Sequence, residues 1–332
     1  MQIFTTTLGQ MISLFSLMAI GFLLVKIGVL KKEAAGVLSK LENNLFIPAL
    51  ILNTFLTNFT IENLNSTWQL LLFSLCIELV IIPLALLVGH LCERDKYKQG
   101  IVAYGIAFSN FGFMGIAVVK AMAPMLVEQF KDKIPGITAA GLELNYVIFT
   151  LVLWTLIYAW ATPTLLIPVK GGGIKARLKS FCNPMFICIV LGMVLGPIPI
   201  PRPEPIMSAI GMASDCMSPV AMLLTGITIA SVDIKAGFKS HSTWISCALR
   251  LLVIPGAALG VFYLLSQVLP FTPDYYFCAF CTLAMPLGLS PVVIPAAYGK
   301  DTTMAATMAL VSHLLSVATL PLMFMLMERV LF

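Results

Sequence analysis

"AMPLGLSPVVIPAAYG", residues Ala284 to Gly299, places three prolines (Pro286, Pro291, Pro295) and two glycines within sixteen residues of an apolar stretch. Each proline removes a backbone donor and crowds the preceding turn, so the stretch reads as an interrupted helix. In lipid an unpaired backbone group costs several kcal/mol. Broken backbone therefore persists there only inside protein or beside a water-filled cavity.

The surrounding chain is 59% hydrophobic and 11% charged, with a mean hydropathy of +0.98, outside the soluble globular range. Apolar runs of about 17–25 residues mark candidate spans. They cover 8–27, 41–58, 67–90, 98–123, 138–163, 181–197, 206–230, 242–268, 274–298 and 303–327. The fold class that follows is an all-α polytopic membrane protein with ten transmembrane helices. "MQIFTTTLGQ" lacks a basic n-region, so the first run is read as a span and not as a cleaved leader.

Loop charges orient the chain. With the N-terminus outside, one set of loops holds fourteen lysines and arginines, from Lys26 through the 170–179 cluster to Lys300. The opposite set holds four: Lys131, Lys133, Arg202 and Arg329. The positive-inside rule then puts both termini outside a plasma membrane and the connector "PVKGGGIKARLKS" in the cytoplasm. The net charge of +5 is thereby absorbed by topology. The basic residues are scattered and form no patch for nucleic acid. Of the eight cysteines, six (Cys76, Cys188, Cys216, Cys247, Cys278 and Cys281) fall in apolar runs and read as packing residues. No metal or cofactor motif is present.

The chain repeats itself. "NNLFIPALILNT" of span 2 aligns with "SDCMSPVAMLLT" of span 7, matching Pro48 with Pro219, Asn44 with Asp215 and Thr54 with Thr225. "ELVIIPLAL" of span 3 aligns with "RLLVIPGAA" of span 8, matching Pro83 with Pro255 and Glu78 with Arg250. In span 4, "NFGFMGIAVVKAM" sets Gly112 on Gly288 and Gly115 on Pro291. The expected plan is two inverted five-helix repeats, 1–166 and 181–332, joined by a connector at 167–180, because an odd number of spans per half inverts the second. Spans 4 and 9 are each expected to break near the bilayer midplane, the first at Gly112–Gly115. Paired interruptions of this kind point to a substrate site. Each second half-helix starts afresh with unpaired N–H groups and a positive dipole end, and Pro291 suits such a start. Two converging starts favour an anion.

"SNFGFMGIAVVKAM", "MPLGLSPVVIPAAYG" and the opening "KIGVLKKEAAGVLSKLENNLFIPALIL" resemble the auxin efflux carrier family, which includes bacterial malate and malonate permeases and the plant auxin carriers. The resemblance covers essentially the whole chain. It implies a scaffold domain of spans 1, 2, 6 and 7, often dimeric, and a mobile transport domain of spans 3–5 and 8–10. It also implies that spans 4 and 9 cross at the substrate site and that the mechanism is elevator-like or rocking. Asn110 matches the asparagine of the plant carriers' crossover motif, and Asn145 lies near the position of a glutamine in them.

The substrate-site candidates are Ser109, Asn110, Gly112, Gly115, Gly288, Ser290 and Pro291 at the crossover, with Asn145 beyond it. Asn44 and Asp215, beside the prolines of spans 2 and 7, either line the path or bond carbonyls those prolines free. Glu78 and Arg250 are costly charges within spans and form an expected pair. The pair is either a static clamp or a proton-linked switch. His313 is either a proton site or a packed, hydrogen-bonded residue. Glu42, Glu143, Lys120 and Glu328 lie toward span ends, can snorkel there, and receive no role.

The function expected is secondary transport of a small mono- or dicarboxylate, auxin-like or malate-like. No nucleotide motif suggests direct ATP drive. The crossover's Ser109, Asn110 and Ser290 offer sodium no carboxylate. The alternatives are an intramembrane enzyme, against which no paired aspartates or nucleophile motif appears, and an anion channel.

Overall fold

The computed structural model describes residues 2–167, 183–269 and 271–331, so the expected 167–180 connector lies almost wholly outside the described residues. Within them the protein is all-helical. Helix α1 is Gln2–Lys26; α2 (Ala34–Leu41) runs through a π turn, Glu42–Phe46, into α3 (Ile47–Asn58). Then come α4 (Ile61–Cys92), α5 (Lys96–Ala107), and a π turn, Phe111–Gly115, leading into α6 (Ile116–Phe130). The first half closes with α7 (Ala139–Leu156) and its π-helical end, Ile157–Leu166. The second half holds α8 (Pro184–Leu195), α9 (Glu204–Ser231) and a short α10 (Ile234–Phe238). Next, α11 (His241–Ala248) passes through a π turn, Leu249–Val253, into α12 (Ile254–Ser266). The last elements are α13 (Pro273–Ala284), α14 (Ser290–Ala297) and α15 (Thr303–Leu331).

Proline explains most of the π segments. A proline cannot donate to the carbonyl four residues earlier and crowds it, so the preceding turn widens. Pro48 and Pro255 each follow a π turn closely, and Pro163 lies inside one. Among the described residues, seven helices are long and apolar enough to cross a membrane, by length and composition. The stretches expected at 41–58, 181–197 and 274–298 fall outside that set. Helix α8 has only twelve residues, and the last stretch is divided between α13 and α14. Leu79, Val80, Leu87 and Leu91 of α4 face outward, as lipid contact requires.

Two packing groups surround the broken helices. Helix α1 lies along α9, and α3 packs on α8 and α9. Helix α4 packs on α5 and α7, α6 on α7, and α12 on α13 and α15. The core between them is built from α5, the two breaks and α13 to α15, where Tyr104, Phe108, Phe111, Phe277 and Phe280 are almost fully buried.

Candidate functional site at the crossing of the broken helices

The two interruptions meet. Ser109 and Leu287 form an antiparallel bridge, in which Asn110 N donates to the Pro286 carbonyl at 2.8 Å and Gly288 N to the Phe108 carbonyl at 3.2 Å. This short piece of sheet takes up backbone groups that neither helix can use. It also corrects the expected position of the first break. The extended residue is Phe108 (φ −111°, ψ 109°), and Asn110 (φ −78°, ψ 43°) precedes the new helix. Gly112 and Gly115 lie beyond the break, in the π turn. In the second interruption Met285 is extended, and Pro291 stands at the start of α14 as expected.

From this bridge both second half-helices set out, one at Phe111 and the other at Ser290. Their first turns have no intrahelical acceptors for their N–H groups, and both dipoles present their positive ends at the crossing. The carbonyl ends of the first half-helices are gathered by one side chain. Arg250, buried in the Leu249–Val253 turn, donates from Nη1 to Ile106 O (3.0 Å), from Nη2 to Thr282 O (2.7 Å) and from Nε to Met285 O (3.2 Å). A guanidinium suits this place because its donors are fixed in a plane and its charge sits on two negative helix ends. Ser109 Oγ donates to the same Thr282 carbonyl at 2.7 Å.

Asn110 is completely buried, and its Nδ2 lies 2.8 Å from His313 Nε2. His313 Nδ1 lies 2.7 Å from the Ala309 carbonyl, so Nδ1 carries the proton and Nε2 accepts. Asn110 must then turn its amide N–H₂ to the imidazole. Its Oδ1 is left buried with no partner. Tyr146 Oη donates to Phe111 O (3.1 Å), and Ser218 Oγ of α9 donates to Phe113 O (2.6 Å). The π turn that holds Gly112 and Gly115 is thus held from two sides. Ser109, Asn110, Gly112, Gly115, Gly288, Ser290 and Pro291 are brought together and are all buried.

Other candidates lie apart. Asn145 Nδ2 donates to Asp274 Oδ2 at 2.6 Å, across α7 and α13. Asn44 is exposed and bonds its own helix at Lys40 O (2.8 Å). Asp215 is exposed on α9. Glu78 is buried in α4 with Oε2 unpartnered. Glu78 and Arg250 interact electrostatically, yet no ion pair joins them among the described residues. One residue was missed. Glu42 does not snorkel: it is fully buried, and neither carboxylate oxygen has a partner. The signal was the spacing of Ser39, Glu42 and Asn43, which puts three polar residues on one helical face.

A family model described as membrane transport protein matches residues 6–176 and 172–324. The chain belongs to the auxin efflux carrier family of membrane transport proteins. The match covers both interrupted stretches, and the protein is a multi-pass membrane protein of a transporter family. No curated protein matches it.

Proposed function

We propose that this family member is a secondary carrier for a small organic anion in the plasma membrane, and not an enzyme. The observation that carries the reading is the bridge at Ser109 and Leu287, from which two half-helices begin with their positive ends together. A carboxylate at that point would be met by backbone N–H groups and two dipoles. Ser109, Gly112, Gly115, Gly288, Ser290 and Pro291 shape the site, and Asn110 contributes side-chain selectivity. Because Asn110 offers an oxygen, it favours a substrate with a donor beside its carboxylate, such as a hydroxy acid or an indole acid. A channel would need an open path, and the burial of every crossover residue favours alternating access instead.

Ten spans in two inverted repeats are the arrangement we propose, with both termini outside and the 167–180 connector in the cytoplasm. Helices α1 to α3, α8 and α9 would form the scaffold and its dimer seam, and the rest would move in elevator or rocking fashion. The packing of α1 and α3 on α9 supports that division. Asp215 and Asn44, exposed on the scaffold side, would face the path or the seam, because a charge at such depth is costly in lipid.

Reconstituted carrier should take up radiolabelled malate saturably and prefer it to succinate, which lacks only the hydroxyl, by about tenfold or more. Asn110→Ala should abolish saturable uptake and cost about 1–3 kcal/mol of thermal stability, because His313 Nε2 is left buried without its donor. Equal affinity for the two acids, or ordinary kinetics in the variant, would remove Asn110 from the site.

A further inference from the structure

The joint between α2 and α14 holds polar groups that the substrate site does not use. Ser39, Glu42 and Asn43 share one face of the rod that runs from Ala34 to Asn58. Ser39 Oγ donates to Val293 O, and Asn43 Nδ2 donates to the same carbonyl at 3.2 Å and to Ser39 O at 2.9 Å. That face is therefore clamped onto the half-helix α14. Glu42 lies between the two clamping residues, with no solvent exposure and neither oxygen paired.

A chain of hydroxyls leads from it into the other packing group. Tyr158, in the π-helical end of α7, interacts with Glu42, with Tyr104 of α5 and with Ser290 of α14. Tyr104 lies beside Ser290 and Thr162. The Tyr104, Tyr158 and Thr162 hydroxyls are buried, and none makes a hydrogen bond of ordinary geometry, as is true of the Glu42 carboxyl. Among the described residues no charged side chain acts on Glu42. Asp215 of α9, which packs against the same turn, is exposed, and α8 brings no charge to it. An ionised carboxylate without a partner is far more costly to bury than a neutral acid. Hydroxyls can donate to the anion or accept from the acid, so this chain suits a group that gains and loses a proton.

We propose that Glu42 is a proton-binding site at the joint between the α2–α3 rod and the broken helices, and that its proton travels with the transport cycle. The coupling part rests on the carrier reading above. Glu42 and its hydroxyls stand on opposite packing groups, so sliding one past the other opens the joint to water. A hydrated carboxyl releases its proton, and the joint closes again only over the neutral acid. The crossover lacks a carboxylate of its own, and the rod supplies one that Tyr158 links to Ser290.

Infrared spectroscopy of the purified full-length protein at neutral pH reads the proton without any substrate. The C=O stretch of a protonated carboxylic acid should be present, vanish in Glu42→Gln and persist in Glu78→Gln. Its absence from the wild type, or its survival in Glu42→Gln, overturns the proposal. If Glu42→Gln does not fold, Tyr158→Phe decides instead: a shifted band supports the site, and an unshifted one overturns it. Thermal stabilisation by sodium chloride over choline chloride that Glu42→Gln removes would replace the proton by an alkali cation. In proteoliposomes, Glu42→Gln should keep malate counterflow while accumulation driven by a pH gradient falls to the equilibrium level. Loss of counterflow as well would overturn coupling and leave a structural acid. Should wild-type protein move no malate, the substrate reading fails, while the infrared result still decides whether Glu42 holds a proton.

Discussion

The first interruption, at Phe108 to Asn110, carries its polarity in side chains, whereas the second, at Met285 to Leu289, is apolar and works through backbone. Ser109 and Asn110 reach Thr282 and His313 from the first. The second contributes carbonyls at Thr282, Met285 and Pro286, and prolines that set its course. The second half-helices differ too. One opens with a π turn and continues to Phe130, while the other is the eight-residue α14. Two interrupted helices can meet at one bridge, then, while the polar side chains come from one of them and the other supplies backbone.

Arg250 is the element common to both, and its loss should have the largest effect. Arg250→Met leaves the Ile106 and Met285 carbonyls without their donor, whereas Thr282 keeps Ser109. A buried group left unpaired costs about 1–3 kcal/mol, more where the lost bond was charge-assisted. Thermal unfolding in detergent should therefore show a loss of several kcal/mol, with Arg250→Lys intermediate because it lacks the planar fork. The Glu78→Gln, Arg250→Met double variant should recover little, since the carbonyls remain unserved. Full recovery would show that the guanidinium serves Glu78 and not the two helix ends.

A smaller effect should separate the two glycines that the repeat aligns. At Gly288 an added Cβ would meet the Phe108 carbonyl at 2.7 Å, and backbone on both sides of the bridge cannot give way. At Gly112 the obstacle is the ring of Trp154, a side chain stacked on Tyr158. Overpacking costs about 1–3 kcal/mol, at the upper end where nothing relaxes. Gly288→Ala should thus lose more stability and more malate uptake than Gly112→Ala. The reverse order would mean that the aromatic stack, and not the bridge, fixes the crossing.

Much of this was legible in composition and punctuation. Apolar runs marked the helices, and Pro286, Pro291 and Gly288 marked the second break within a few residues. The first break was misplaced because its glycines drew attention, although the chain bends at Phe108, an ordinary residue whose extended backbone is imposed by pairing with Gly288. Arg250 was matched with Glu78 by symmetry, since a sequence does not reveal that backbone carbonyls from two other helices converge on it. Glu42 was passed over because closeness to a span end was taken for access to water. Burial at the joint is a tertiary property, and only the companion polar residues Ser39 and Asn43 hinted at it.

The smallest effect lies where the ends of the two broken segments meet in solvent. Asp301 Oδ1 accepts from Thr303 Oγ1 (2.6 Å) and Thr303 N (2.9 Å) at the start of α15. Tyr97 Oη, in the first turn of α5, donates to the Asp301 carbonyl at 2.9 Å. The Thr303 hydroxyl, then its N–H, with Lys98 adding attraction, holds the Asp301 carboxyl below its ordinary value of 3.8. A carboxyl depressed in the folded state contributes stability that is complete above the unfolded value and is lost as pH falls through the folded one. Wild-type stability from this group should therefore be flat from pH 7 to 5 and decline only below about pH 4. The carboxyl is largely exposed, so screening and the usual worth of a helix cap keep the whole contribution under ~1 kcal/mol. Asp301→Ala should unfold slightly earlier than wild type at pH 7, with a gap that narrows toward pH 3. Asp301→Asn, which keeps an acceptor oxygen without the charge, should fall between them at pH 7. No gap at any pH would mean that Tyr97 and the backbone carbonyl, which both variants keep, tie the two broken segments together without help from the carboxylate.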